Sequence, residues 1–199
     1  MSDQKTPILL PIETIVRELD WKLDLAVHLA NTQRQIYIGH HDIIHEMVQH
    51  LSNGLYVGKN IFASSNQSPR LAELQGKGFT SIYLHEEGGV FKGDKNDWEA
   101  VLTSQYDPKL FNENDILCTW GRSQCEFDMT RGAHSVHVTG HPKFDQYRPS
   151  KNKVFSLEAE MLVAKYGKII LVNTNFALFN NGNLNTENRA LQKNKLELN

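Results

Sequence analysis

The sequence lacks three features that would each narrow its function: a strong charge imbalance, a set of paired cysteines and a long hydrophobic run. Its 199 residues carry a net charge of −2, which gives no electrostatic reason to expect nucleic acid as a partner. Cys118 and Cys125 do not form a C-x-x-C pair, and this favours free thiols in the reducing cytoplasm. The apolar run near the N-terminus is short, so we expect no signal peptide and no transmembrane segment, and only peripheral membrane attachment stays open.

Phosphate-binding loops are also missing from the sequence. Neither G-x-x-x-x-G-K-[ST] nor G-x-G-x-x-G occurs. Gly76 and Gly78 precede a predicted strand rather than a helix, so they indicate a turn. These absences argue against a kinase or a dehydrogenase, and we expect no cofactor.

A histidine-rich segment, HHDIIHEMVQH from His40 to His50, is similar to a metal site. His41 and His45 are four residues apart with Asp42 between them, close to the H-E-x-x-H helix of zinc peptidases. However, Asp42 replaces the expected Glu, and no third ligand follows at a matching spacing. The apolar positions of the same helix form a stripe of Ile44, Met47, Val48 and Leu51. We therefore predict no metal site, and a small metal-dependent hydrolase is the least favoured alternative.

Short apolar runs that alternate with amphipathic patterns predict an α/β fold. The predicted strands are ILLPIE (residues 8–13), QIYIGH, GLYVGK, TSIYLHEEGG, DILCTWG and SVHVTGH. The first helix has apolar residues at spacings of three and four, namely Val16, Leu19, Leu23, Val27 and Ala30. Apolar strands separated by helices are typical of a parallel sheet that is covered on both faces. The sequence thus predicts a doubly wound, mostly parallel, Rossmann-like sheet.

The composition changes after this sheet and predicts four regions. Residues 1–141 form the Rossmann-like domain, and the polar segment PKFDQYRPSKNK within residues 142–153 is a linker. Residues 154–176 provide the first helix and strand of a second domain. Residues 177–199 are rich in Asn and other polar residues, which predicts a disordered tail.

Ligands of open α/β sheets bind at the carboxyl ends of the strands. The residues that the sequence places there are Glu13, Arg17, Glu18, His40, Glu86, Glu87, Gly88, Trp120, Gly140 and His141. Carboxylates beside a glycine turn fit a general base or a group that binds hydroxyls. Arg17, near a helix N-terminus, could hold a carboxylate or a phosphate. The alternative is a solvated rim of exchangeable ion pairs.

Several segments together resemble the bacterial surface carbohydrate biosynthesis proteins. LLPIETIVRELDWKLDLA (residues 9–26) resembles their opening, LLP-E---RELD-KL-LA. LHEEGG (residues 84–89) is similar to their DEEG turn, with His85 in place of the first acid. VTGHPKFDQYRP and KIILVNTNF resemble their VTGNPRFDLLRP and FILINTNFG, with His141 and Lys143 as departures.

This resemblance implies a two-domain glycosyltransferase of the GT-B type that acts in surface polysaccharide biosynthesis. The implied partners are a carbohydrate acceptor, held by the N-terminal domain, and a nucleotide-activated sugar, held by a second domain. HEEGG is also similar to the EDG turn of bacterial β-Kdo transferases, in which the acid is catalytic. The resemblance therefore implies Glu87 as the catalytic carboxylate and Glu86 as its neighbour.

Family members are longer than this chain, so we expect an acceptor-binding half that lacks the nucleotide site and is not active alone. A non-catalytic binding or assembly subunit, completed by another chain, is the main alternative. The sequence also leaves open a homodimer.

Overall fold

The computed structural model describes residues 6–30, 34–59, 69–86, 93–148, 153–170 and 172. Contacts divide the chain into two units, residues 1–152 and residues 153–199. The strands of the first unit are β1 (Pro7–Ile12), β2 (Gln35–His40), β3 (Leu55–Gly58), β4 (Thr80–Leu84), β5 (Ile116–Thr119) and β6 (Val136–Val138). Its helices are α1 (Ile15–Ala30), α2 (His41–Val48), α3 (Pro69–Gly76), α4 (Lys95–Gln105) and α5 (Arg122–Thr130), with short 3-10 helices η1 (Pro108–Leu110) and η2 (Pro142–Tyr147).

The six strands form one parallel sheet in the order β2-β1-β3-β4-β5-β6. The predicted parallel α/β fold is thereby confirmed. β2 lies on one side of β1, and β3 to β6 follow one another on the other side. Because crossovers between parallel strands are right-handed, α1 lies on one face of the sheet and α2 to α5 lie on the other. The direction changes between β1 and β3, and the carboxyl ends of these strands are where such sheets bind ligands.

The larger apolar core lies on the face that α2 to α5 cover. Its buried residues include Leu9 of β1, Val48 of α2 and Leu102 of α4. The predicted stripe on α2 is confirmed, because Ile44 and Val48 are buried and Met47 and Leu51 pack partly buried against this core.

The predicted apolar stripe on α1 is wrong. Val16 is 91% exposed and Val27 is 66% exposed. The helix instead buries Glu18, Trp21 and Lys22, and Leu25, Ala26 and Leu29 pack beside the sheet. The buried positions 18, 21 and 22 and the partly buried positions 25 and 29 also follow helical spacing. An apolar pattern does not reveal this face, because two of its positions hold charged residues, which are rarely fully buried unless they are paired.

Part of the predicted linker belongs to the first unit. Residues 142–147 form η2, and the side chain of His141 caps it by accepting a hydrogen bond from the Lys143 amide. Phe144 of η2 packs edge-to-face on Trp120, with ring centroids 5.1 Å apart. The carboxyl edge of the sheet therefore extends into η2.

The second unit contains α6 (Lys153–Tyr166), and the described residues that follow, 167–170 and 172, lie in no helix or strand. The remainder of the predicted strand and the predicted tail, together with Glu87 and Gly88, lie outside the described residues. Within the described part of the chain, no helix combines the length and the apolar character needed to span a membrane.

A buried carboxylate holds together the opposite, amino-terminal end of the sheet. Asp115 is fully buried and accepts hydrogen bonds from the Ser81 amide (2.7 Å), the Asn112 amide (2.9 Å) and the Gln75 side chain (2.9 Å). These donors belong to β4, the turn before β5 and α3. One side chain thus ties three segments at the end of the sheet that is away from the predicted site.

We expect Asp115→Ala to lower the free energy of unfolding by about 3 kcal/mol, because it leaves several donors without an acceptor. Urea unfolding followed by circular dichroism would measure this loss. The matched control is Glu113→Ala, an exposed acid in the same turn, which should change stability by less than about 0.5 kcal/mol. Equal effects of the two substitutions would contradict this role for Asp115.

Candidate functional site

The turn from β1 into α1 folds around the side chain of Glu18. Its carboxylate accepts hydrogen bonds from the backbone amides of Glu13 (3.0 Å) and Thr14 (3.2 Å). These amides lie at the start of α1, where backbone N–H groups have no partner within the helix. Glu18 therefore turns back toward the carboxyl end of β1 and becomes buried, with 1% of its surface exposed.

Lys22 lies one helical turn further along the same face and is fully buried. Its ammonium is 2.7 Å from a Glu18 oxygen and also donates a hydrogen bond to the Pro11 carbonyl in β1. A Glu86 oxygen lies 3.5 Å away. A buried ammonium requires such partners, because leaving water costs several kcal/mol.

Lys59 follows β3 and adds a second ammonium. It lies 2.8 Å from a Glu13 oxygen and 3.7 Å from oxygens of both Glu18 and Glu86. Glu13, Glu18, Lys22, Lys59 and Glu86 together are called the Glu/Lys cluster below. It gathers the carboxyl ends of β1, β3 and β4, and it lies where the direction of the sheet changes.

The carboxylates of the Glu/Lys cluster do not titrate alike. The hydrogen bond from Lys59 holds the pKa of Glu13 below its usual range. Burial acts to raise the pKa of Glu18, but hydrogen bonds from Lys22 and the Glu13 amide outweigh it, so that pKa is lowered. Burial, reinforced by the charge of Glu18, raises the pKa of Glu86 despite the two lysines. With three carboxylates and two ammonium groups, the cluster leaves Glu86 the least stabilised anion.

Three buried polar atoms of the site have no hydrogen-bond partner among the described residues. They are Glu86 Oε1, Nε2 of His141, whose side chain is 4% exposed, and Nε1 of Trp21, whose ring contacts both His141 and the Lys22 ammonium. Glu86 Oε1 accepts no hydrogen bond from this part of the chain, but it lies 3.5 Å from the Lys22 ammonium and is therefore part of an ion pair. Burial and the nearby lysines Lys143 and Lys22 lower the pKa of His141 to about 3, so its ring is neutral. Because Nδ1 accepts the Lys143 amide hydrogen, Nε2 carries the proton. The site thus contains one acceptor and two donors that make no hydrogen bond among the described residues.

The ring of His141 packs against two tryptophans at the site, one from α1 and one from the end of β5. Its ring lies 5.0 Å from Trp21 of α1 and 5.6 Å from Trp120 at the end of β5. The ammonium of Lys143 lies 4.7 Å from the centre of the Trp120 ring and donates a hydrogen bond to the Glu86 carbonyl. These contacts connect η2 to the end of β4.

A hydrogen-bonded network supports Glu86 from the other side. His85 Nε2 is 2.7 Å from the Gln105 side-chain oxygen, and its Nδ1 is 3.2 Å from the Gln124 amide nitrogen. Gln124 also donates to the Tyr106 hydroxyl, which donates to Asp128 at 2.6 Å. When His85 is neutral and carries its proton on Nε2, every donor in this network has an acceptor and every acceptor has a donor. This network fixes the position of the chain immediately before Glu86.

The structure brings together only some of the predicted site residues. Glu13, Glu18 and Glu86 meet in the Glu/Lys cluster, and Trp120 and His141 lie beside it. Arg17 donates its described hydrogen bond to Thr14, and His40, 53% exposed, contacts His41 and Asp42 instead. Gly140 has a left-handed backbone (φ 69°) and donates to the Thr119 carbonyl, so it shapes the turn after β6.

The lysines of the site were missed as site residues by sequence analysis. Lys22 could have been found from its i, i+4 spacing to Glu18, which is the spacing of a helical ion pair. Lys59 and Lys143 lie 41 and 125 residues along the chain from Glu18 (59 − 18 and 143 − 18). No local pattern reports such distant pairing.

A pocket elsewhere in the described structure does not coincide with these residues. It lies near the amino ends of β1 and β2, lined by Pro7, Gln35, Tyr37 and their neighbours. It contains none of the residues of the Glu/Lys cluster. The carboxyl edge is the stronger candidate because it combines unpaired polar atoms with a perturbed carboxylate.

Comparison of the chain with protein-family models, with curated proteins and with solved structures gave no match. The family resemblance of the sequence therefore stays a prediction, and the function has to be argued from the site.

Lys22→Met should lower the free energy of unfolding by about 3–5 kcal/mol, because Glu18 would lose its buried counter-charge. Lys95→Met is the matched control, since Lys95 is 76% exposed and pairs with Glu99 at the same i, i+4 spacing. That pair should contribute less than about 1 kcal/mol. Chemical denaturation of both variants would measure the difference, and a loss no larger for Lys22 than for Lys95 would argue against a buried ion pair.

Glu86→Gln and Glu18→Gln should have opposite effects on stability at neutral pH. The pKa of Glu86 is raised on folding, so its ionisation opposes folding above that pKa, and Gln should raise the free energy of unfolding. The pKa of Glu18 is lowered, so its charge stabilises the fold above the unfolded pKa, and Gln should lower it. Both differences should shrink as the pH falls through the respective folded and unfolded pKa values. Urea unfolding between pH 3 and 7 tests this, and effects of the same sign would contradict it.

Proposed function

We propose that this chain is the acceptor-binding half of a GT-B-type glycosyltransferase in surface polysaccharide biosynthesis, and that the Glu/Lys cluster binds hydroxyl groups of a carbohydrate acceptor. Three features support the location. The sheet is parallel, the cluster lies at its carboxyl edge, and the strand direction changes at the same point. Ligands of open α/β sheets bind in this position.

The proposal rests on buried polar atoms of the site that make no hydrogen bond among the described residues. Glu86 Oε1 can accept a hydrogen bond, and His141 Nε2 and Trp21 Nε1 can each donate one. A carbohydrate offers both functions, since each of its hydroxyl groups has one O–H donor and two acceptor lone pairs. Each buried polar atom without a partner destabilises the protein by about 1–3 kcal/mol. Hydrogen bonds from a hydroxylated ligand would therefore stabilise the complex.

Glu86 also has the properties of a group that receives a proton. Its raised pKa brings it closer to neutral pH than an ordinary carboxylate, and a general base is most effective when its pKa is near the working pH. In this proposal Glu86 orients an acceptor hydroxyl or takes its proton as the sugar is transferred. Glu87, which the resemblance implies as the catalytic carboxylate, follows directly in the chain but lies outside the described residues, and it is the other candidate for the same role.

In this proposal the donor substrate is a nucleotide-activated sugar that a second domain binds, and we expect no cofactor. The alternative of a non-catalytic binding or assembly subunit shares the acceptor site. The two alternatives predict different results when the chain is supplied with the domain that holds the nucleotide sugar. A transferase then transfers the sugar and loses this activity when Glu86 or Glu87 is replaced by Gln, whereas a binding subunit has no such activity to lose.

We expect the chain to bind at least one member of a panel of neutral, N-acetylated and acidic sugars and their short oligosaccharides. Saturation-transfer NMR would detect binding, and isothermal titration calorimetry would measure its strength. Glu86→Gln and His141→Phe should each weaken binding by about tenfold, the effect of losing one hydrogen bond. Glu113→Gln, an exposed acid away from the cluster, is the control and should bind like the unchanged protein.

Binding that survives both substitutions would show that sugars bind elsewhere. Binding of none of the panel would contradict the proposal, provided that the protein unfolds cooperatively and is therefore folded.

A further inference from the structure

Three consecutive residues at the junction of β2 and α2 form a separate cluster of metal-binding groups. His40 ends β2, and His41 and Asp42 begin α2. One ligand atom from each side chain lies within 4.8 Å of the others. We propose that His40, His41 and Asp42 bind a divalent transition-metal ion, for which Zn²⁺ is the best match.

The candidate ligand atoms lie near the spacing of tetrahedral zinc. His41 Nε2 lies 3.1 Å from Asp42 Oδ1, and His40 Nδ1 lies 3.6 Å from the other carboxylate oxygen, Oδ2. His40 Nδ1 also caps α2 by accepting a long hydrogen bond (3.4 Å) from the Asp42 amide, and zinc would replace this bond. Zinc bonds to nitrogen and oxygen of about 2.0–2.2 Å place tetrahedral ligand atoms roughly 3.3–3.5 Å apart. Two imidazoles and one carboxylate are a usual zinc ligand set, whereas Mg²⁺ and Ca²⁺ prefer oxygen ligands alone. Small side-chain rotations would therefore complete a three-ligand site.

The carboxylate is already held in position by a neighbouring helix. Arg70 of α3 donates a hydrogen bond to Asp42 Oδ1 at 3.1 Å. Oδ2 is the oxygen that lies near His40, whereas Oδ1, which binds Arg70, is the oxygen that lies near His41. Outer contacts of this kind orient a metal ligand and increase its affinity.

The exposure of the three side chains leaves room for water or a ligand on the metal. His40 is 53% exposed and Asp42 61% exposed, while His41 is 21% exposed. The positive end of α2 and the charge of Arg70 oppose a cation here, and one carboxylate offsets them only in part. We therefore expect weaker binding than at a closed, four-ligand structural zinc site.

The structure selects a different set of histidines from the one that the sequence spacing suggests. His45 Nε2 lies 2.8 Å from a Glu73 oxygen, and the group of ligand atoms within 4.8 Å of one another does not include His45. The H-D-x-x-H spacing therefore does not describe the cluster, and His40 takes the place of His45. The proposal does not depend on carbohydrate binding, because zinc affinity can be measured without any sugar.

The test is isothermal titration calorimetry of the metal-free full chain with zinc chloride, with magnesium chloride as the control ion. We expect one zinc ion per chain and no heat from magnesium. His40→Asn keeps a side chain that can cap α2 but removes the imidazole, and His41→Ala removes the second ligand. Each should weaken zinc binding by about tenfold or more. His50→Ala, an exposed histidine just after the same helix, and His45→Ala should leave the affinity unchanged.

Circular dichroism spectra of the variants would show that they remain folded. The proposal is overturned if zinc does not bind, if binding survives both His40→Asn and His41→Ala, or if His45→Ala or His50→Ala removes it. Zinc that binds with several ions per chain and with equal affinity in all variants would indicate unspecific surface histidines and would also overturn it.

Discussion

The buried ammonium of Lys22 is the contact on which the carboxyl edge of the sheet depends. It joins Glu18 in α1, the Pro11 carbonyl in β1 and Glu86 after β4. A charge at this depth costs several kcal/mol to desolvate, and its partners compensate for that cost only when their geometry is maintained. The same contact that holds α1 on the sheet therefore also fixes the carboxylates of the candidate site.

Glu86 lies between two polar networks that have different roles. The network of His85 and Gln124 is saturated with hydrogen bonds and holds the backbone in place. The Glu/Lys cluster has more carboxylates than ammonium groups, and Glu86 keeps one oxygen without a hydrogen bond among the described residues. A rigid support around an unsatisfied acid is typical of sites where stability is lost in favour of ligand binding.

The fold could be predicted from the sequence because each strand is a short apolar run that local composition reveals. The buried face of α1 could not, because Glu18 and Lys22 look like surface residues until their partners are known. Lys59 reaches Glu13 across the sheet, and such pairing depends on strand order rather than on spacing. Likewise, His40 and His41 stand next to each other in the sequence, but only the structure separates them from His45, which pairs with Glu73.

In the proposed function, Glu86 lies near both lysines of the cluster and still offers an oxygen that makes no hydrogen bond among the described residues to a ligand. A titration followed by NMR of the side-chain carboxyl carbons, with and without a bound saccharide, tests it most directly. We expect Glu86 to titrate above the usual range for Glu and Glu18 below it. We also expect the saccharide to shift the Glu86 resonance but not that of an exposed acid such as Glu113. Ordinary titration of Glu86, with no response to any saccharide that binds, would contradict it.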